Sequence, residues 1–162
     1  MRCFVTVGTT KFDSLINKIM TEPCLEILRQ RGVSYLVLQS GAGIIHIGDN
    51  KRNFNGIQIE QYCYKDDIKF DMEAADFIIG HAGAGTCLEA LKLRKPLIVV
   101  VNEDLMGNHQ LELAERLADE GHIFYTNVTN LLNLLQTVNF SELKPFVPCD
   151  MHRLAKFIDK CT

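Results

Sequence analysis

The residues best suited to chemistry lie in one glycine-rich stretch, Gly-His-Ala-Gly-Ala-Gly-Thr-Cys-Leu-Glu-Ala at positions 80–90. An apolar segment precedes it and a helical pattern follows it, which predicts a strand–turn–helix junction. Glycines at such a turn let a diphosphate approach the backbone, and the helix N-terminus offers free N–H groups and partial positive charge. His81 and Thr86 supply donors for phosphate oxygens, although Thr86 could instead cap the helix. Glu89, one turn into the helix, supplies an acceptor for ribose hydroxyls, so the stretch predicts a nucleotide site.

The elements that must position this stretch alternate between strand-like and helix-like patterns. Short apolar strands are predicted at 3–7, 33–38, 57–63, 77–79, 97–101 and 123–125. The first predicted helix has Asp13 as a possible N-cap, and a second follows Pro23 and ends near Gly32. Further helices are predicted at 66–75, 86–93, 109–120, 129–138 and 151–161. A polar loop is predicted at 49–55. Strands that are apolar throughout are typical of parallel sheets covered on both faces. The alternation therefore predicts an α/β fold with a doubly wound parallel sheet.

Two further turns of small or hydroxylated residues follow predicted strands, at positions 8–10 and 41–43. Ligands of open parallel sheets bind at the carboxyl ends of the strands. Any one of these turns alone would be read as a tight connection. Three of them at one rim favour a phosphate or nucleotide site.

Composition limits the remaining classes of function. The chain has 162 residues, which predicts one domain, and a net charge of −3, which gives no basic excess for nucleic acid. The longest apolar run, 97–101, is far shorter than the roughly 20 residues of a membrane helix. The apolar run at the beginning of the chain is too short, and is interrupted too early by polar residues, to predict a signal peptide. The six cysteines are scattered along the chain. We therefore expect reduced cysteines and a cytosolic location.

A second interpretation comes from the spacing of Gly83, Gly85 and Leu88, which is a weak dinucleotide fingerprint with Glu103 or Asp104 near the expected distance. It would indicate a nicotinamide dehydrogenase. Against it, leucine stands where the third glycine is expected, and the turn follows the fourth predicted strand rather than the first. A third interpretation is a non-catalytic module that binds nucleotide sugars.

The stretch at 81–89 resembles the donor signature His-x-Gly-x-x-Ser/Thr-x-x-Glu of glycosyltransferases built from two facing Rossmann-like domains, the GT-B fold. Four motifs occur in order, at 5–13, 39–43, 80–89 and 108–114, and nearly the whole chain is covered. Together they resemble the donor-binding subunits of two-subunit UDP-N-acetylglucosamine transferases of lipid-linked oligosaccharide synthesis. Those subunits are similar to the C-terminal half of the bacterial transferase that adds N-acetylglucosamine to the peptidoglycan lipid precursor.

The resemblance implies a role for each site residue. The UDP diphosphate would be held by Gly8, Thr9, His81, Gly83, Gly85 and Thr86, the ribose by Glu89, uracil by Tyr64 and Lys65, and the sugar by Asn108, His109 and Gln110. No metal is expected, since the chain has no Asp-x-Asp, and no cofactor is expected. Oriented amides and a helix N-terminus can stabilise charge that develops on the leaving phosphate.

The implied reaction transfers N-acetylglucosamine to the 4-hydroxyl of N-acetylglucosaminyl-diphosphodolichol with inversion. A general base must reach the acceptor hydroxyl. In related two-domain enzymes it comes from the acceptor half, so none is assigned in this chain. We therefore expect a single nucleotide-sugar-binding domain over 1–162 that works with a membrane-anchored, acceptor-binding partner at the cytosolic face of the endoplasmic reticulum. The C-terminal segment 146–162 either contacts that partner or packs on its own sheet.

Overall fold

Seven strands form one sheet in a computed structural model, which describes residues 1–43, 51–103, 108–147, 152, 153 and 156. The strands are β1 (Arg2–Thr6), β2 (Tyr35–Gln39), β3 (Lys51–Phe54), β4 (Ile57–Tyr62), β5 (Phe77–His81), β6 (Leu97–Val101) and β7 (Phe124–Asn127). Their order across the sheet is β3-β4-β2-β1-β5-β6-β7, and all neighbours are parallel except the β3–β4 pair. The doubly wound parallel sheet that the sequence predicts is confirmed.

Six α-helices cover the two faces of this sheet within the described ranges. They are α1 (Asp13–Ile19), α2 (Glu22–Gln30), α3 (Lys69–Ala74), α4 (Ala84–Lys92), α5 (Asn108–Asp119) and α6 (Leu131–Thr137). Helices α1, α2 and α6 contribute to one apolar core, and α3, α4 and α5 contribute to the other. The central strands are buried because each face of the sheet is covered, which explains why they are apolar at nearly every position.

The order of the strands reverses direction between β1 and β5. From β1 the chain moves outward through β2 to β4, and it then returns to place β5 on the other side of β1. The register pairs Thr6 with Gly80, so the two strands end side by side. Crevices at such a switch point, outside the carboxyl ends of the strands, are where ligands of open α/β sheets bind. The glycine-rich loop after β5 therefore faces the turn after β1.

The structure differs from the sequence prediction at the polar segment 49–55, part of which forms strand β3 rather than a loop. This strand pairs antiparallel with β4 through a turn at Asn55 and Gly56, and both residues have positive φ values of 45° and 97°. Asn-Gly is a favoured dipeptide for two-residue hairpins because both turn positions require positive φ. An edge strand needs no apolar run, and the Asn-Gly pair was the signal that could have revealed it.

Neither Asp13, the possible N-cap of the first helix, nor Thr86, for which capping was one of two alternatives, caps a helix. Asp13 is the first residue of α1 rather than its N-cap, and the N-cap position belongs to Phe12 without a side-chain hydrogen bond. Helix α4 begins before Thr86, at Ala84, with Gly83 as its N-cap. Thr86 therefore lies in the first turn of the helix and does not cap it.

The predicted C-terminal helix at 151–161 lies almost entirely outside the described residues, where only 152, 153 and 156 are assigned as helical. Among the described residues, none of the helices has the length and hydropathy required to cross a bilayer.

Candidate nucleotide-sugar site

The imidazole of His81 occupies the space between the turn after β1 and the start of α4. A β-carbon at Gly8 would lie 2.8 Å from Cε1 of this ring, and one at Gly83 would collide with Nε2. Gly8 also has a φ of +63°, a conformation that side chains disfavour. Both glycines are therefore required by contact with one histidine, which joins the two loops at the switch point.

The protonation of His81 follows from its position. Nδ1 is buried and makes no hydrogen bond within the described chain. Burial lowers the pKa of His81 because it disfavours the charged ring, and the Thr6 backbone partly opposes this shift. The free ring is therefore neutral near pH 7 and carries a single N–H, while Nε2 lies on the side of Gly83.

The N-terminus of α4 is open to an anion. Gly83 provides no side-chain cap, and the first turn of this helix contains no acidic residue. The partial positive charge of the helix end is therefore not neutralised by its own side chains. Gly85 is exposed, and no heavy atom lies within 4 Å of the place where its β-carbon would be. The fold itself therefore does not require glycine at this position.

This difference between Gly83 and Gly85 gives a test. We expect Gly85→Ala to leave the unfolding temperature within about 2 °C of wild type, since surface substitutions away from special features usually change stability by about 0.5 kcal/mol or less. The same variant should weaken UDP binding by about 10-fold or more, because a methyl group would stand in the space of the diphosphate. Calorimetric titration with UDP and thermal unfolding measure the two effects.

Gly83→Ala is the matched control, because its β-carbon collides with the His81 ring. It should lower both the unfolding temperature and the UDP affinity. Full UDP affinity in Gly85→Ala would contradict a phosphate position over this part of the helix.

Gln39, which belongs to the motif at 39–43, holds the loops of the candidate site together. Its Oε1 accepts hydrogen bonds from Thr6 Oγ1 at 2.5 Å and from the backbone N–H of Gly8 at 3.0 Å. Its Nε2 donates to the carbonyls of Gly8 at 2.8 Å and Cys63 at 2.6 Å. This buried amide therefore fixes the turn after β1 to the end of β4. A glutamine at the end of an apolar strand was the available signal.

The turn at 41–43, the third predicted phosphate turn, has a structural role in the described chain. The backbone N–H of Gly41 donates to the carbonyl of Cys63 at 3.0 Å, and that of Ala42 donates to the carbonyl of Thr10 at 3.2 Å. These amides therefore hold the neighbouring loops and are not available to a ligand.

A depression of about 260 Å³ lies beside Gly8, and the predicted uracil residues form its wall. Gly8, Thr9 and Gln39 line one part of it, and Tyr64 and Lys65 line another. Tyr64 is 55% exposed, so its ring is accessible to a planar ligand. The structure therefore brings two of the predicted diphosphate residues, Gly8 and Thr9, and both predicted uracil residues to one concave surface.

The remaining predicted residues reach the same edge of the sheet through their helices. Glu89 is half-buried on α4, less than two turns after the helix N-terminus. Asn108, His109 and Gln110 begin α5, which follows β6, the neighbour of β5. The side chains of these three residues lie outside the described part of the structure, so their prediction concerns the helix end alone.

Other reactive side chains of the described chain do not form a second site. Burial raises the pKa of the Cys87 thiol to about 12, so this residue beside the loop is not a thiolate nucleophile at neutral pH. His122 lies before β7, at the opposite edge of the sheet, with Nδ1 3.1 Å from the carbonyl of Lys144. No group of three or more metal-ligating side chains occurs within the described residues. Cys3, Cys24 and Cys63 are free thiols, as is Cys87, while Cys149 and Cys161 lie outside the described residues.

A parallel α/β sheet with a crevice at its switch point defines the chain as a Rossmann-like domain. The model of the glycosyltransferase family 28 C-terminal domain matches residues 2–160. The chain therefore belongs to this family of glycosyltransferase domains, and its architecture is that of the C-terminal, donor-binding half of GT-B enzymes. This assignment excludes the dehydrogenase interpretation, and the glycine-rich loop indeed follows β5 rather than β1.

Several relatives carry the name UDP-N-acetylglucosamine transferase subunit ALG13. The mouse protein is 49% identical over 124 residues, which are 76% of this chain and 10% of that protein. The Yarrowia lipolytica protein is 34% identical over 133 residues, which are 82% of this chain and 68% of that protein. The chain thus spans about a tenth of the length of its mouse and human relatives.

Solved structures show the same fold. An NMR solution structure of ALG13 matches with a TM-score of 0.70 at 24% identity, over 92% of this chain and 90% of that one. The crystal structure of MurG from Acinetobacter baumannii matches with a TM-score of 0.64 at 18% identity, over 98% of this chain and 45% of that one. In the second comparison, this fold makes up about half of a longer chain.

Proposed function

We propose that this chain is the donor-binding subunit of an N-acetylglucosaminyltransferase that uses UDP-N-acetylglucosamine. The observation that carries the proposal is the crevice between β1 and β5, where His81 separates Gly8 and Gly83 beside an uncapped helix N-terminus. A diphosphate fits this place because it meets oriented N–H groups and the positive helix end. The family assignment and the printed name of the relatives support the choice of donor.

The chemistry follows from where charge develops. As the bond from the sugar to the β-phosphate breaks, negative charge grows on the departing UDP. The N–H groups at the start of α4 would stabilise that charge, with the imidazole of His81 and the hydroxyl of Thr86 as further donors. Because the loop is already fixed by the contacts of His81 with both glycines, little reorganisation is needed at the moment of reaction.

The other predicted residues would select the donor. Glu89 would accept hydrogen bonds from the ribose hydroxyls, and Tyr64 and Lys65 would lie against uracil. Gly85 would let the diphosphate approach, with Gly8 and Thr9 on its other side. The segment Asn108, His109 and Gln110 would contact the hydroxyls of N-acetylglucosamine.

The acceptor is assigned to a partner. We expect a membrane-anchored subunit to bind N-acetylglucosaminyl-diphosphodolichol and to supply the general base that removes the proton of its 4-hydroxyl. The product would be the β-1,4-linked second sugar, formed with inversion at the cytosolic face of the endoplasmic reticulum. The word "subunit" in the names of the relatives supports the need for a partner.

A transfer assay tests this proposal. The full chain is co-expressed with the acceptor-binding subunit from its own source, and membranes are incubated with radiolabelled UDP-N-acetylglucosamine and the lipid-linked monosaccharide. We expect labelled disaccharide lipid only when both subunits are present, and calorimetric binding of UDP to the chain. Binding of UDP without transfer would overturn catalysis in favour of a non-catalytic module, and absence of UDP binding would overturn the donor site itself.

A further inference from the structure

The acidic side chain of Asp71 is buried behind the wall that Tyr64 and Lys65 form. Asp71 belongs to α3 and is only 2% exposed, and it is the one buried carboxylate among the described residues. Removing a carboxylate from water is unfavourable unless it is paired and hydrogen-bonded. A buried ion pair is weak evidence for a gain in stability, because desolvation offsets the attraction of the two charges. Such a pair can instead specify one conformation of the groups around it.

The two oxygens of Asp71 have different partners. Oδ2 accepts hydrogen bonds from the hydroxyl of Tyr62 at 2.5 Å and from Nζ of Lys65 at 3.1 Å. Oδ1 lies 3.6 Å from a guanidinium nitrogen of Arg2, whose guanidinium also stacks over the ring of Tyr35 at 4.2 Å. Burial and the hydrogen bond to Asp71 raise the pKa of Tyr62, so its hydroxyl remains a donor. Oδ2 therefore binds the end of β4 and the loop after it, and Oδ1 lies beside the side chain of Arg2 on β1.

The ammonium of Lys65 is held from two sides. It contacts the carboxylate of Asp71, and it lies 4.1 Å from the centroid of the Tyr62 ring. A cation over an aromatic face is attracted by the electron density of the ring. The carbonyl of Cys63 is held in turn by Gln39 at 2.6 Å. The loop is therefore fixed on both sides of Tyr64.

We propose that Asp71 is a positioning residue for the nucleobase end of the donor site, because its contact with Lys65 and Tyr62 fixes the wall formed by Tyr64 and Lys65. The inference rests on the proposed function, since it concerns the same site. Asp71 does not touch the ligand. Its carboxylate holds the ammonium of Lys65 at 3.1 Å, beside the exposed Asp66 and Asp67 of the same loop.

The test uses the co-expressed complex and Asp71→Asn, which keeps the size of the side chain and removes its charge. We expect the KM for UDP-N-acetylglucosamine to rise by about 5- to 10-fold while kcat stays within about 2-fold, because donor binding is changed and the transferring groups are not. Lys65→Met should raise the KM at least as much, because it also removes a side chain that would lie against uracil. The double variant should be no worse than Lys65→Met alone, since that variant already lacks the contact with Asp71.

Arg2→Met is the matched control, because it removes the charged partner of Oδ1 and leaves Oδ2 and Lys65 in place. We expect it to lower the unfolding temperature and to leave the KM for the donor within about 2-fold of wild type. A purely structural role of Asp71 would instead make the KM follow stability in all variants. Additive KM effects in the double variant, or an unchanged KM in Asp71→Asn, would overturn the inference. Failure of the wild-type chain to bind UDP would overturn the proposed function instead.

Discussion

His81→Ala is expected to weaken UDP binding by about 30-fold and to lower the transfer rate by a further 10-fold or so. A hydrogen bond to a charged group contributes about 1.5–3 kcal/mol, and donors to developing charge matter most in the transition state. The variant also removes the ring that contacts Gly8 and Gly83, so both loops would lose their fixed separation. Calorimetry with UDP and the two-subunit transfer assay measure the two effects separately.

His122→Gln is the control for this prediction. His122 is also a largely buried histidine, but it lies at the opposite edge of the sheet, against the carbonyl of Lys144. We expect it to lower stability without changing UDP affinity. Equal losses of affinity in the two variants would show that His81 acts through stability alone.

The pH dependence of stability provides a second readout of His81→Ala. Burial lowers the pKa of His81 below its usual value of 6.5, so the unfolded chain binds the proton more readily than the folded chain. Stability therefore falls as the pH decreases through about 6.5, until the folded histidine is protonated as well. The alanine variant should lose less stability than wild type over the same decrease in pH. Unfolding in urea at pH 7.5 and 5.5 measures the difference.

Glu89→Ala is expected to reduce UDP affinity by about 10- to 100-fold, the second large effect. In the proposed site, Glu89 accepts hydrogen bonds from the ribose hydroxyls. A hydrogen bond to a charged acceptor contributes about 1.5–3 kcal/mol. Glu89→Gln keeps the shape and one acceptor, so its loss should be smaller. Glu115→Gln, which changes an exposed carboxylate on α5, should bind UDP as wild type does.

A change of ligand makes this prediction more specific. The wild-type chain should bind UDP more tightly than 2′-deoxyUDP, and Glu89→Ala should bind the two alike, because the hydroxyl and its acceptor form one interaction. Calorimetric competition between the two nucleotides gives the ratio. A preference for UDP that persists in Glu89→Ala would assign the ribose to another residue.

Local patterns in the sequence were sufficient for the six parallel strands of the sheet and for the loop after β5. Apolar strands such as Leu97–Val101 are buried between two layers of helices, and their composition alone indicates this position. The polar edge strand β3 was missed because it has no apolar run, although Asn55 and Gly56 mark its turn. The residue type of Asp13 suits an N-cap, yet the helix includes it as its first residue.

Residue types and their spacing predicted an α/β domain, which the structure confirms, and a nucleotide site at a glycine-rich loop, which stays a prediction. Those features are encoded by neighbours in the chain, through apolar periodicity and the backbone freedom of glycine. Only the tertiary structure showed that His81 requires both Gly8 and Gly83, that Gln39 joins the loops after β1 and β4, and that Asp71 lies behind Lys65. The physical reason is that these contacts join residues far apart in sequence, or orient polar groups inside the protein. Their energies depend on burial and angle, which residue types and spacing do not contain.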